Sequence, residues 1–248
     1  MRIGRLAAVV LVAATAVACG GGFFRQYEYE EDIYLSLDGS ARVYVNGSIP
    51  AIDALRGASF DVSPSARIDR RTIRDFYTTA VTRLTQQVRL SRRSSRRFVH
   101  VRLDVDDVRR LGEVAPFDWS TYRLDRDGDL YVYQQSIGRA ANKSVGHVGW
   151  TGGEVVAFRL HLPSKIAYHN TLPGNVRRGN ILLWEQSLED RLHGVPLVLD
   201  ARMESQSILY RTRWLFGATL VAVAATFGLV IWWILRRPPA GAPSEESP

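Results

Sequence analysis

The run Trp214–Leu235, WLFGATLVAVAATFGLVIWWIL, contains no charged residue. As a helix rising about 1.5 Å per residue it would extend roughly 33 Å, enough to cross a hydrocarbon core of about 30 Å. Arg211 and Arg213 precede it and Arg236 and Arg237 follow it, while Trp214, Trp232 and Trp233 stand where interfacial aromatic anchors belong. Pro238 and Pro239 forbid the helix from continuing. A soluble protein would have to surround such a helix with core on every side. The run therefore predicts one membrane-spanning helix over 214–235. Beyond it, 236–248 is a Pro-, Glu- and Ser-containing tail with too little apolar surface to fold, expected to be disordered in the cytoplasm.

The N-terminus sets the compartment. Arg2 and Arg5 lead into an apolar stretch, Leu6–Ala18, too short to span as a helix and followed by small residues. These are the three regions of a secretory signal peptide over 1–18. Ala16-Val17-Ala18 fits ordinary cleavage. A small residue before Cys19 also fits a bacterial lipobox, although Ala16 stands where Leu is usual. Cys19 is the only cysteine in the chain and falls at the one position a lipoprotein needs, which favours acylation there. A lone cysteine excludes an internal disulfide framework and a Cys-based zinc cage. With a flexible tether over 19–26, these features predict a single-pass cell-membrane protein whose bulk, residues 27–210, is extracytoplasmic.

That bulk reads as α+β and rich in antiparallel sheet. Tyr27, Tyr29, Ile33, Leu35 and Leu37 recur at every second position, as do Ala41, Val43 and Val45 after Asp38-Gly39, the signature of a hairpin. Pro50–Arg56 suits a short helix with proline in its first turn. From Asp69, a candidate N-cap, Ile73, Phe76, Tyr77, Ala80 and Val81 predict a helix of about three turns. Alternation over Leu84–Leu90 and Val99–Val105 gives two more strands around the polar turn 91–96, and Asp106-Asp107 can cap a short helix reaching Leu111. Further strands are expected over 121–124, 130–135, 155–162, 166–168, 181–185 and 195–201, with a short helix capped by Ser187. The order gives few, short helices and a sheet-rich domain.

Chemistry is harder to find. The chain has 32 Lys and Arg against 25 Asp and Glu, a net charge of +7, and only Lys143 and Lys165 are lysines. Guanidinium groups suit bidentate contact with phosphate or carboxylate, although the excess also fits a compositional bias toward arginine. Arg89, Arg92, Arg93, Arg96 and Arg97 form either a patch for anionic headgroups or a solvated hairpin tip. Too few aromatics lie near them for nucleic-acid stacking, so membrane lipids, or a lipid or protein partner of the envelope, are the expected partners and nucleic acid is not. Gly146, His147, Gly149, Trp150, Gly152 and Gly153 form a loop in which backbone could approach a ligand, or a plain connection at one end of the sheet. A strand rather than a helix follows, so it is no phosphate cradle. Asp125-Arg-Asp-Gly-Asp129 fails the calcium-loop register and reads as a hairpin turn. His100, His147, His161, His169 and His193 show no metal-ligand spacing, no catalytic motif is present, and no cofactor is implied. The reading leans to a non-enzymatic binding role; the alternative is an envelope hydrolase whose site assembles only in the fold.

The possible lipobox, the opening hairpin with its phrase Leu35-Ser-Leu-Asp-Gly-Ser-Ala-Arg-Val43, the α+β body and one C-terminal span closed by Arg236-Arg237 together resemble the bacterial LppM-type membrane-anchored lipoproteins. The resemblance implies an extracytoplasmic domain that handles lipid or envelope partners, without enzymatic activity. It transfers no site residues.

Overall fold

In the computed structural model, which describes residues 25–63, 65–177 and 180–236 (207–211 by backbone alone), side-chain alternation builds the first hairpin. The signal peptide, Cys19, the tether as far as residue 24 and the tail past Arg236 lie outside the described residues. Strand β1 (Gln26–Leu35) pairs antiparallel with β2 (Ala41–Ser48), Leu35 opposite Ala41. Between them Asp38 Oδ1 accepts the Ser40 N–H at 2.9 Å and Gly39 takes φ +90°. The turn consumes residues 36–40, so Leu37 leaves the strand.

Helix α1 (Ile49–Arg56) begins where Ser48 Oγ accepts the Ala51 N–H at 3.2 Å, with Pro50 in the first turn. Ile49, Ile52 and Leu55 are buried, together stabilising by roughly 5–9 kcal/mol before entropy is counted. A Cβ on Gly47 would stand 2.8 Å from Ile52, so glycine in β2 is what lets the helix sit down on the sheet. Helix α2 (Arg70–Tyr77) is capped by Asp69, as its sequence predicts, but stops short of Val81. The Thr79 hydroxyl accepts the N–H groups of Val81 and Thr82 at 3.1 and 3.0 Å and turns the chain into β3 (Thr82–Leu84).

The alternation over 84–90 is interrupted. β3 and β4 (Arg89–Arg93) are separate strands, each pairing with β5 (Arg96–Val105), one at either end. A 3-10 turn (Val108–Glu113) follows, capped by Asp107. The hairpin of β6 (Ser120–Asp127) and β7 (Leu130–Ile137) turns at Gly128, φ +58°, in place of any calcium loop. Then come β8 (Glu154–His161), β9 (Ser164–His169), β10 (Val176–Arg177), β11 (Ile181–Ser187), α3 (Leu188–Leu192), capped by Ser187, and β12 (Leu197–Ser207).

The strands form two sheets, β10-β11-β8-β1-β2-β5-β3 with β4 also on β5, and β6-β7-β12-β9. The described registers are antiparallel except one, the parallel pair β1–β8 at the centre of the larger sheet. Val43 and Val101 from that sheet share one core with Tyr133 and Leu199 from the smaller. The fold is therefore α+β, sheet-rich and antiparallel in the main, with few short helices.

The chain divides between Ser205 and Gln206 into two units. The second contains α4 (Ile208–Arg236). Over Thr212–Arg236 it is long and apolar enough to cross a membrane, with mean hydropathy 2.2, and its side chains are unburied, Leu220 at 72% exposure. Thr219 and Thr226 donate their hydroxyls to the carbonyls of Leu215 and Ala222, both at 2.8 Å, so these two polar atoms are satisfied within the helix. That is what a hydrocarbon surrounding demands.

Candidate functional site

The five arginines of the β4–β5 hairpin do not form one patch. The hairpin turns through Ser94 and Ser95, both left-handed at φ +48° and +61°, and on either side of it Arg89, Arg92 and Arg93 are exposed while Arg96 and Arg97 are buried. Arg93 donates to the Tyr27 carbonyl and lies over the Phe98 ring at 4.3 Å. Arg97 donates to the carbonyls of Asp61 and Ala66. Arg96 donates from Nε to Glu28 Oε1 at 3.0 Å and from Nη1 to the Gly149 carbonyl at 2.8 Å.

That last bond joins two stretches the sequence leaves separate. The glycine-rich loop folds back onto the hairpin, with Trp150 donating from Nε1 to Glu28 Oε2 at 3.4 Å. Glu154, at the start of β8, accepts the N–H groups of Thr151 and Gly152, each at 2.8 Å. Gly146, Gly149 and Gly152 all have positive φ, which explains the glycines at those positions in the loop. Gly153 is exposed and lacks that positive φ. A cleft of about 480 Å³ lies between hairpin and loop, lined by Ser94, Ser95, Arg97, His147 and Gly149, with Ile49 among its apolar walls. Arg96, Gly149 and Trp150 are thus brought together, and His147 reaches the same cleft. Arg89 lines a different cleft and is not part of the cluster. Glu28 and Glu154 organise it, and sequence reasoning missed both, because nothing local marks a carboxylate that a distant loop will cover.

A second charged cluster lies between the sheets. Glu31 and Arg56 form an ion pair with both side chains at most 1% exposed. Tyr122 donates to Glu31 at 3.3 Å, Gln135 at 3.1 Å and Tyr29 at 3.1 Å, and the Arg56 guanidinium lies 3.7 Å from the Trp119 ring centroid. Burial first, then the Glu31 charge, hold the hydroxyls of Tyr122 and Tyr133 well above the ordinary tyrosine range, so both remain protonated donors. Removing one partner of such a pair typically costs about 3–5 kcal/mol, because the other is left charged and dry. Sealed inside the core, this network acts on the fold and not on a ligand. Glu31 did leave a signal: it shares the every-second-residue register of Tyr29, Ile33 and Leu35.

On the opposite face of the larger sheet, His100 Nε2 lies 2.7 Å from Ser91 Oγ and Nδ1 lies 2.7 Å from Asn46 Oδ1. The order hydroxyl, imidazole, amide is that of a nucleophile relay, but the same contacts follow from cross-strand neighbours on β4, β5 and β2. Among the described residues, no three His, Cys, Asp or Glu side chains cluster as metal ligands.

No family model matches this chain, and neither does any curated protein. Among solved structures, the NMR structure of the folded domain of LppM from Mycobacterium tuberculosis is similar at 10% identity and a TM-score of 0.39, covering 77% of this chain and 97% of that one.

Proposed function

We propose that this protein is a membrane-anchored, non-enzymatic module of the bacterial envelope, whose folded domain is exported and binds lipid or an envelope partner. The observation that carries the proposal is α4, an apolar helix of spanning length with unburied side chains in which the hydroxyls of Thr219 and Thr226 are satisfied within the helix. Residues 1–18 act as the export signal in this reading, Cys19 is the acylation site, and 236–248 stay in the cytoplasm. The cleft between the arginine hairpin and the glycine-rich loop supplies both apolar wall and hydrogen-bond donors, the mixture an amphiphilic ligand requires. The hydrolase alternative rests on Ser91, His100 and Asn46, and strand register alone accounts for their contacts.

The test is a carbonate wash of membranes from cells expressing the full chain. The full chain stays in the pellet, and a chain ending at Gln206 that also carries Cys19→Ser, and so lacks both anchors, is released. Release of the full chain would sink the proposal.

A further inference from the structure

A second cleft, of about 330 Å³, opens on the polar face of β2, β4 and β5 and is lined by Arg89, Arg102, Gln86, Gln87, Ser91 and His100, among others. Strand register sets Arg89 opposite His100, His100 opposite Asn46, and Arg102 opposite Tyr44, so these groups share one face. No carboxylate lines the cleft.

Three other arginines on this surface are neutralised. Arg42 pairs with Asp104 at 3.2 Å, Arg83 with Asp106 at 2.6 Å, and Arg159 with Glu30 at 2.7 Å and Asp32 at 3.0 Å. Among the described residues, Arg89 and Arg102 have no such acidic partner. Arg102 is held over the Tyr44 ring at 4.4 Å, and its Nε is buried without a hydrogen-bond partner. A buried donor left unpaired is costly, and Arg102 must turn within the cleft for an anion there to reach it. The cleft's positive field also acts on His100, whose pKa is held below the ordinary histidine value by burial first and Arg89 next, against the opposing pull of Glu30.

We propose that this cleft binds a phosphate group, as a mono- or diester, held between Arg89 and Arg102 with the amides of Gln86 and Gln87 as additional donors. Two separated guanidiniums and two amides suit a tetrahedral oxyanion with several acceptors, whereas a carboxylate is satisfied by one guanidinium fork. The site deepens the binding role proposed above, and rests on it only where the phosphate belongs to a lipid headgroup.

The experiment uses the full chain in phosphatidylcholine nanodiscs. Calorimetric titration with glycerol 3-phosphate gives the affinity for a soluble ester. Co-sedimentation with phosphatidylglycerol vesicles, against phosphatidylcholine vesicles as blank, gives the lipid arm. R89Q and R102Q each weaken binding about tenfold or more, as loss of a charge-assisted contact implies. R110Q, whose wild-type arginine pairs with Glu113 outside the cleft, leaves it unchanged. Vesicle binding lost in the same two variants identifies a headgroup as the source. Glycerol 3-phosphate binding with indifference to vesicles identifies a soluble ester. Failure of both probes to bind, or binding that ignores R89Q and R102Q, overturns the site. The carbonate wash judges the membrane reading separately, since no outcome here alters it.

Discussion

Asp53 shows how one side chain ties stability to pH. It lies on α1 at 2% exposure, and its two carboxylate oxygens accept the Phe60 N–H at 3.1 and 3.0 Å. Burial pushes its pKa up to about 6, against the opposing pull of that hydrogen bond and of Lys143. A carboxyl with a folded pKa above its unfolded one holds more protons in the folded chain. Its contribution is therefore greatest at low pH and is lost as pH rises through the interval between the two values. Urea midpoints of wild type and Asp53→Asn across about pH 4 to 7 check this: relative to the variant, wild type loses on the order of 1–3 kcal/mol as pH rises. Asp38, Asp69 and Asp107, which hydrogen bonds pull the other way, are common to both proteins and cancel in the difference. Parallel pH profiles would remove Asp53 from this role. At the same scale, Glu31 was legible as a carboxylate in apolar register, but its partner Arg56 was not. The pairing requires α1 to be laid against β1, and no spacing encodes that.

At the scale of elements, the glycine-rich loop depends on a strand it is far from in sequence. Arg96 holds the loop's backbone at Gly149 while sharing Glu28 with Trp150. Arg96→Ala leaves the Glu28 carboxylate without its cation, and hydrogen exchange over Gly146–Gly153 should quicken about tenfold or more, with the Trp150 emission shifting toward that of a solvated indole. Arg96→Lys keeps the charge but loses the fork, and falls between. Unchanged exchange in Arg96→Ala would show the loop to be held by Glu154 alone. Caps and turns made from adjacent residues were readable in advance: Asp38-Gly39, Pro50 in its helix, Asp69 and Ser187 all do what their positions imply. The parallel pairing of β1 with β8 was not, because Tyr29 and Val156 meet across most of the domain and neither strand carries a sign of the other. The same distance hid Glu28 and Glu154 as organisers of the site.

For the whole molecule the governing question is which side of the membrane the folded domain faces, since that decides which phosphates reach Arg89 and Arg102. The helix of spanning length was legible because crossing a hydrocarbon core takes a length and an apolar composition that residues 214–235 carry in plain sequence. Its orientation is not written in its flanks. Arg211 and Arg213 on one side balance Arg236 and Arg237 on the other, so the asymmetry that usually orients a helix is nearly absent. Orientation must then come from residues 1–18: if they export the chain, α4 stops transfer and the tail remains inside. Cysteine placement tests this, because Cys19 is the only native thiol. Asp127→Cys, at the exposed β6–β7 turn, should react with a membrane-impermeant maleimide in intact cells, whereas Ser247→Cys should react only after the membrane is opened. The reverse labelling would place the domain in the cytoplasm. The lipid-facing role would then fall with the export signal, while the phosphate cleft would face soluble cytoplasmic esters instead.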